Sequence, residues 1–315
     1  MTLPTPGSRV SLRWLDGSGQ AHDLVGEVVE AGRDGVRILP WDRGPVTVHP
    51  AAIVAWRPVP PKAVRPSSPP ADVARLAARG WPGLEVERLG GWELRASGGY
   101  TRRANSALCE GDPDLSVARA VDLLVEFYRA RDLAPQVMLA ARPGEHHPLE
   151  GRLVDHGWRA HSHTWLMSRD LRIGQDDPLP TGVDASWSQR PNAAWLAAFG
   201  RPHPLQLAVL TAADADYLSL VGAGELIAIA RLAPTGDWAG ISALWVAPAH
   251  RGRGLGTAVL GALRARAVSR GARFGYLQVM ADNPGARRLY ERLGWQVHHG
   301  YTYLTRDPAP GGADD

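Results

Sequence analysis

Between residues 9 and 57 apolar and polar positions alternate in five short runs, at 10–15, 23–29, 35–39, 46–49 and 53–56. Alternation at period two marks strands with one buried face. Asp16-Gly17, Asp34-Gly35 and Arg43-Gly44-Pro45 interrupt the runs at hairpin spacing, and such residues favour tight reversals between neighbouring strands. Strands this short and this close together, over 1–57, predict a small closed β-barrel. The stretch that follows, PVPPKAVRPSSPP, is rich in proline and serine. Proline cannot donate to a sheet and keeps the backbone extended, so 58–72 reads as a linker.

Beyond the linker the period alternates between two and 3.6. Strands are expected at 92–96 and 103–109, then a helix over 115–131, where Val117, Val121, Leu124 and Tyr128 recur at helical spacing. A strand at 136–140, a helix at 149–156 and a strand at 158–167 complete a ββαβαβ order. The same order returns downstream, with strands at 217–221, 226–232 and 240–246, a helix at 255–270, a strand at 276–279, a helix at 284–293 and a strand at 296–304. Local identities suggest a duplication. Gly157-Trp158 answers Gly294-Trp295, Ser106-Ala107-Leu108 answers Ser242-Ala243-Leu244, and Gln136-Val137-Met138 answers Gln278-Val279-Met280. The chain therefore divides into two related halves, 73–175 and 176–307, with a flexible tail at 308–315.

Composition narrows the setting. Of 315 residues, 44% are apolar and 21% charged, a balance that builds proper cores and excludes a disordered chain. No apolar run reaches the roughly 18 residues of a membrane span, and the first residues lack the features of a signal peptide. The lone cysteine, Cys109, permits neither an internal disulfide nor a multi-cysteine metal site, so a cytoplasmic protein without a metal is expected. A net charge of +3 exerts little pull on nucleic acid. Lys62 is the only lysine, which leaves almost no room for lysine catalysis.

The chemistry concentrates in LWVAPAHRGRGLG, residues 244–256, where an apolar strand runs into a proline-bearing turn and a glycine-rich loop opens a helix. Glycines let backbone N–H groups approach an anion, and at a helix N-terminus those donors and the helix dipole converge. The loop reads as a pyrophosphate cradle. It does not fit the dinucleotide fingerprint, because Arg251 precedes the glycines and the next strand reads GYLQVMADN, without the expected acid at its end. A second segment, 283–295, begins with Asn283 as a cap and Pro284 at a first-turn position and stops at Gly294. Ala286, Leu289, Tyr290 and Leu293 share one face of it.

The pattern Arg251-x-x-Gly254-x-Gly256, followed by the capped helix of 283–295, resembles the acyl-CoA site of the GNAT superfamily of N-acetyltransferases. The resemblance covers roughly 187–306 and, as a degenerate copy, 81–170. It implies an α/β architecture, a mixed α+β sheet of the acyl-CoA N-acyltransferase fold, duplicated and preceded by a barrel of Src-homology-3 type. It further implies acetyl-CoA as cosubstrate, its pantetheine arm along the backbone of Leu244, Trp245 and Val246. The Leu244 N–H would polarise the thioester carbonyl. Arg251, Gly252, Arg253, Gly254, Leu255 and Gly256 would hold the pyrophosphate, Asn283 would sit beside the pantetheine, and Tyr290 would protonate the departing thiolate. A primary amine of a small molecule or peptide would attack directly.

The general base is the thin part of the resemblance. Many relatives carry a glutamate on the fourth strand, near the place of Gly240, but no carboxylate occurs from 240 to 246. Asp237 is the nearest acid in sequence; a water relay, or His161, His163 or Glu93 from the other half, are the alternatives. The first half has Leu153 where the second has Tyr290, and acidic Gly111-Asp112-Pro113-Asp114 in place of the cradle, so it is expected to serve as scaffold or substrate wall. A non-catalytic acyl-CoA sensor or interaction protein is the competing function. The sequence does not indicate an oligomeric state.

Overall fold

The computed structural model describes residues 2–41, 44–60, 62–174 and 178–306. Arg43 of the expected turn and the expected tail at 308–315 lie outside the described residues. The chain forms two compact units: Met1–Ala63 with Glu87–Leu94 and Ala107–Phe127, and Val64–Val86 with Arg95–Ser106 and Tyr128–Asp315.

In the first unit β1 (Arg9–Leu15), β2 (Ala21–Ala31), β3 (Val36–Pro40), β4 (Val46–Val48) and β5 (Ile53–Pro58) fall where the alternation places them. They form one antiparallel sheet in the order β4-β3-β2-β1-β5. Val10, Leu12, Leu24, Val28, Val36 and Ile38 supply its buried face. Among the described residues no ladder joins β4 to β5, and the ladders establish a separate five-stranded antiparallel sheet without establishing its closure into the expected barrel.

The chain continues through α1 (Pro70–Gly80), β6 (Glu85–Leu89), β7 (Trp92–Ala96), β8 (Ala107–Leu108), α2 (Val117–Arg129), β9 (Gln136–Ala141), α3 (Glu150–Asp155) and β10 (Arg159–Asp170). Helix α1 takes up the end of the expected linker. Pro70 suits the first turn, where no N–H is required, and Val73, Ala74, Leu76, Ala77 and Ala78 are buried along it. The expected strand at 103–109 is instead a 3-10 turn at Arg103–Asn105 and the two-residue β8. The buried side chain of Asn105 organises the loop that precedes it. Its Oδ1 accepts from the N–H groups of Ser97 and Gly99, and its Nδ2 donates to the carbonyls of Tyr100 and Thr101, which satisfies these groups of 97–101 without a ladder.

Then come β11 (Val183–Ser188), α4 (Ala193–Phe199), α5 (Gln206–Leu210), β12 (Asp216–Gly222), β13 (Glu225–Thr235), β14 (Trp238–Val246), α6 (Leu255–Ser269), β15 (Phe274–Met280), α7 (Pro284–Arg292) and β16 (Gln296–Thr305). The strands of the second unit run β11-β12-β13-β14-β15-β10-β16-β9. Only β14 and β15 are parallel neighbours, as expected for strands joined by the crossover helix α6. One face packs on α6 and α7 through Ile241, Leu277, Val279, Leu255, Val259 and Tyr290. The other packs on Trp81, Tyr100, Trp195, Val209 and Leu210.

Candidate functional site

Strands β14 and β15 pair only from Trp238 with Phe274 to Ile241 with Leu277. Past that point β14 runs on to Val246 and β15 to Met280 without pairing to each other, which opens a fork between them. Ala243 has a positive φ of 53°, and the β13 register shifts between Ile229 and Arg231. Two residues of β14 thus oppose one of β13, a bulge that turns the strand as it leaves its neighbour. The first four residues of β14 are buried and Ser242 to Val246 are partly exposed, so the backbone at Leu244, Trp245 and Val246 borders the fork. Leu244 and Val246 pack on the α6/α7 side, and Trp245 packs on the opposite face.

Beyond the fork Pro248–His250 form a 3-10 turn, and Arg251 donates from Nε to the Val246 carbonyl at 3.0 Å, pinning the loop to the strand end. Gly252 and Gly254 have φ values of 72° and 82°, and a Cβ on either would meet no atom within 4 Å. Their requirement is the left-handed backbone, and the space beside them is open to a ligand. Gly254 is the N-cap of α6, with no side-chain cap, so the first N–H groups of a fifteen-residue helix face outward with the positive end of its dipole. Gly256 has a different reason: a Cβ there would lie 3.0 Å from Leu289 Cδ2, so its hydrogen lets α7 approach α6. Arg251 and Arg253 are exposed beside this opening. An open, cationic loop of left-handed glycines ahead of a helix dipole can receive a polyanion.

Helix α7 ends this constellation. The Asn283 carboxamide oxygen accepts from the Ala286 N–H at 3.1 Å, so the cap is made and its Nδ2 is the group left for a ligand. Tyr290 is buried in the same cluster as Leu244, Val246, Leu255 and Leu289. Burial pushes its phenol up from the ordinary tyrosine value, so it stays protonated at neutral pH. The sequence-predicted residues of strand, loop and capped helix are therefore brought to one end of β14, on the α6/α7 side except for the Trp245 side chain.

The candidates for a base each have contacts of their own. A Cβ on Gly240 would lie 2.3 Å from the Tyr276 hydroxyl, so the ring of Tyr276 fills the place where a glutamate would stand. That phenol is fully buried and pushed up to about 12, and it donates to the Ala77 carbonyl at 3.3 Å; it is no base at neutral pH. Asp237 precedes β14, at the end away from the fork, and forms an ion pair with Arg65. His163 shares a hydrogen bond with Thr302 at 3.0 Å, and His161 stacks on Tyr303. Glu93, in the other unit, pairs with Arg88 at 2.9 Å. Among the described residues no group of three His, Cys, Asp or Glu side chains is placed to hold a metal.

The face of the fork opposite α6 holds residues that sequence reasoning missed. Gly240 and Ser242 of β14 and Tyr276 of β15 line a small cavity with Trp81, Arg103 and Arg231. Arg231, fully buried, interrupts the apolar run of β13; a single arginine in ELIAIARLAPT was the available signal.

Comparison with known proteins agrees with this geometry. The family described as "Probable histone acetyltransferase Rv0428c C-terminal" matches residues 71–304. The chain is 30% identical over 313 residues to the probable histone acetyltransferase Rv0428c of Mycobacterium tuberculosis, covering 96% of each chain. It is 27% identical to the uncharacterized N-acetyltransferase YobR of Bacillus subtilis, over 72% of this chain and 96% of that one. Among solved structures, a GCN5-related N-acetyltransferase from Kribbella flavida superimposes with a TM-score of 0.59 at 22% identity, covering 76% of this chain and 96% of that one. A tandem GNAT protein from the clavulanic acid pathway superimposes with a TM-score of 0.52 at 14% identity, covering 65% and 76%. No described helix is long and apolar enough to cross a membrane. The forked strands, the glycine loop and the family match together make this chain a member of the Rv0428c family of GNAT N-acetyltransferases, with the α+β acyl-CoA N-acyltransferase fold.

Proposed function

We propose that the protein transfers the acetyl group of acetyl-CoA directly to a primary amine, at the fork between β14 and β15. The observation that carries this reading is the meeting, at one end of β14, of an unpaired strand edge with a loop whose left-handed glycines leave open space beside their backbone. Arg251, Gly252, Arg253, Gly254, Leu255 and Gly256 fit the pyrophosphate, and the backbone of Leu244, Trp245 and Val246 fits the pantetheine amides as an added strand would. The bound thioester supplies the activated acetyl group. The Leu244 N–H stabilises charge on the carbonyl oxygen. The amine nitrogen replaces sulfur on the acetyl carbon, the Tyr290 hydroxyl gives its proton to the departing thiolate, and the extra proton on nitrogen leaves to water. With Tyr276 packed over Gly240, a glutamate has no room at that place, so the acceptor arrives with its amine neutral or loses the proton through solvent.

The name of the mycobacterial relative points to a lysine amine of a basic protein as one acceptor. Calorimetric titration with acetyl-CoA, followed by assay of CoA release with amines, tests the reading. Saturable one-to-one binding with amine-dependent CoA release is expected. Binding without release with any amine would instead make the protein an acyl-CoA sensor. Tyr290→Phe should lower kcat by about tenfold to a hundredfold and leave acetyl-CoA affinity within about twofold. An equal loss in both would make Tyr290 a packing residue only.

A further inference from the structure

The small cavity on the face opposite α6 has an electrostatic imbalance. Arg231 is buried at the centre of β13. Its Nε donates to the Leu210 carbonyl at 3.0 Å and its Nη1 to the Gly80 carbonyl at 2.9 Å, the last residues of α5 and α1. Its Nη2 has no partner among the described residues. Arg103 approaches from the 3-10 turn and donates to the side-chain oxygen of Gln278. Both guanidinium groups lie on the ring of Trp81, with Cζ 4.5 Å from the centroid for Arg103 and 5.0 Å for Arg231. Neither forms an ion pair with a carboxylate of the described residues. The Ser242 hydroxyl, which lines the same cavity, is also buried without a partner.

Two positive charges and two unused donor groups around one space are costly unless an anion completes them. Helix carbonyls and the indole face offset part of the cost for Arg231. They leave Nη2 and the Ser242 hydroxyl unsatisfied. The position of the cavity gives the imbalance a function. Ser242 and Gln278 are the first residues of β14 and β15 beyond their pairing, at the base of the fork, and Ser242 is two residues, about 7 Å of strand, from Leu244.

We propose that the acetyl acceptor is a small primary amine that also carries a carboxylate, and that Arg103, Arg231 and the Ser242 hydroxyl receive that carboxylate. This rests on the acetyl-transfer reading above and names its substrate class. The reaction is unchanged: a C–N bond forms, the C–S bond breaks, and the carboxylate only anchors. The same charges disfavour a lysine-rich peptide, since like charge at a binding wall works against the wrong partner.

The test is CoA release by the full-length protein with a panel of amino acids of increasing amine-to-carboxylate spacing, each beside its carboxamide, and with a lysine-rich peptide. At least one free acid is expected to be turned over with kcat/KM on the order of 10- to 100-fold above its amide, the weight of a charge-assisted hydrogen bond. Arg103→Gln should remove that preference by raising KM for the acid, leaving kcat and acetyl-CoA affinity within about twofold. Ser242→Ala should do so to a lesser degree. Neither variant touches the helix carbonyls held by Arg231, so both are expected to fold. Equal use of acid and amide, preference for the peptide, or acetyl-CoA binding without turnover of any acid in the panel would overturn the proposal and leave the cavity a site for one water. Failure to bind acetyl-CoA at all would overturn the acetyltransferase reading itself, and this inference with it.

Discussion

At the scale of single residues, the clearest untested consequence lies in a histidine pair outside the fork. His298 Nε2 lies 3.1 Å from the Ser68 carbonyl, which can only accept, so this nitrogen carries the proton. His298 Nδ1 then accepts from His299 Nδ1–H at 2.7 Å, and His299 Nε2 is left unprotonated, buried and without a partner among the described residues. Burial, with the neighbouring His298 adding to it, pulls His299 down to about 3, and burial also lowers His298. The unfolded chain therefore takes up protons near pH 6.5 that the folded chain refuses, so stability falls as pH is lowered below 6.5. Thermal or urea unfolding between pH 7 and 5 should show a loss approaching about 1 kcal/mol per pH unit from His299, with His298 adding in the same direction. In His299→Gln that slope should be shallower. An unchanged slope would mean that the pair is charged in the folded protein. Nothing in the run QVHHGYTYLT distinguishes these imidazoles from exposed ones, because the burial comes from strands far away in sequence.

At the scale of elements, the glycine loop was legible because glycine is a local signal: Gly252 and Gly254 adopt the left-handed backbone, whereas Gly256, the second glycine of the R-x-x-G-x-G spacing, lies inside α6 against Leu289. Gly254→Asp should raise the acetyl-CoA Kd more than about tenfold, because a carboxylate in the open space beside the loop would repel the pyrophosphate. The melting temperature should fall only a few degrees, since Asp is among the residues that tolerate this backbone and no atom lies within 4 Å of a new Cβ. Unchanged affinity, measured by calorimetry, would remove the loop from the binding site. The capped α7, the five N-terminal strands and β12 to β16 were legible for the same local reason, through caps, turns and period. Helix α1 was hidden because Pro69 and Pro70 read as the end of a linker, although Val73, Leu76 and Ala77 keep helical spacing behind them. The turn at Arg103–Asn105 was hidden because its asparagine is spent on the loop before it, through four hydrogen bonds with the backbone of 97–101. Arg103 and Arg231 meet at Trp81 only after α1, that turn and β13 are in place.

At the scale of the whole molecule, the expected halves are alike at their ends but share their sheet. The stops of α3 and α7 repeat each other: Trp158 N–H donates to the Leu153 carbonyl and Trp295 N–H to the Tyr290 carbonyl, both at 3.0 Å, after Gly157 and Gly294 with φ of 82° and 80°. The identity of Gln136-Val137-Met138 with Gln278-Val279-Met280 is not equivalent in this sense, since one opens β9 and the other closes β15. Between the two expected halves the last strands are exchanged. Strand β10, from the first repeat, lies between β15 and β16 of the second, and β16 in turn pairs with β9. Periodicity cannot report such an exchange, because each strand keeps the same pattern whichever partner it meets. The exchange makes the segment that carries the candidate site dependent on the segment before it. Without β10, strands β15 and β16 would each expose a long unpaired edge, and the apolar cluster around Tyr290 would lose Met167 and Leu171. A fragment of residues 178–306, which a simple tandem would let fold alone, should therefore show no cooperative thermal transition and a poorly dispersed amide NMR spectrum. The full chain should show both a sharp transition and good dispersion. A folded fragment that still binds acetyl-CoA would mean that the exchange adds no necessary contacts, and that the first repeat is dispensable to the site.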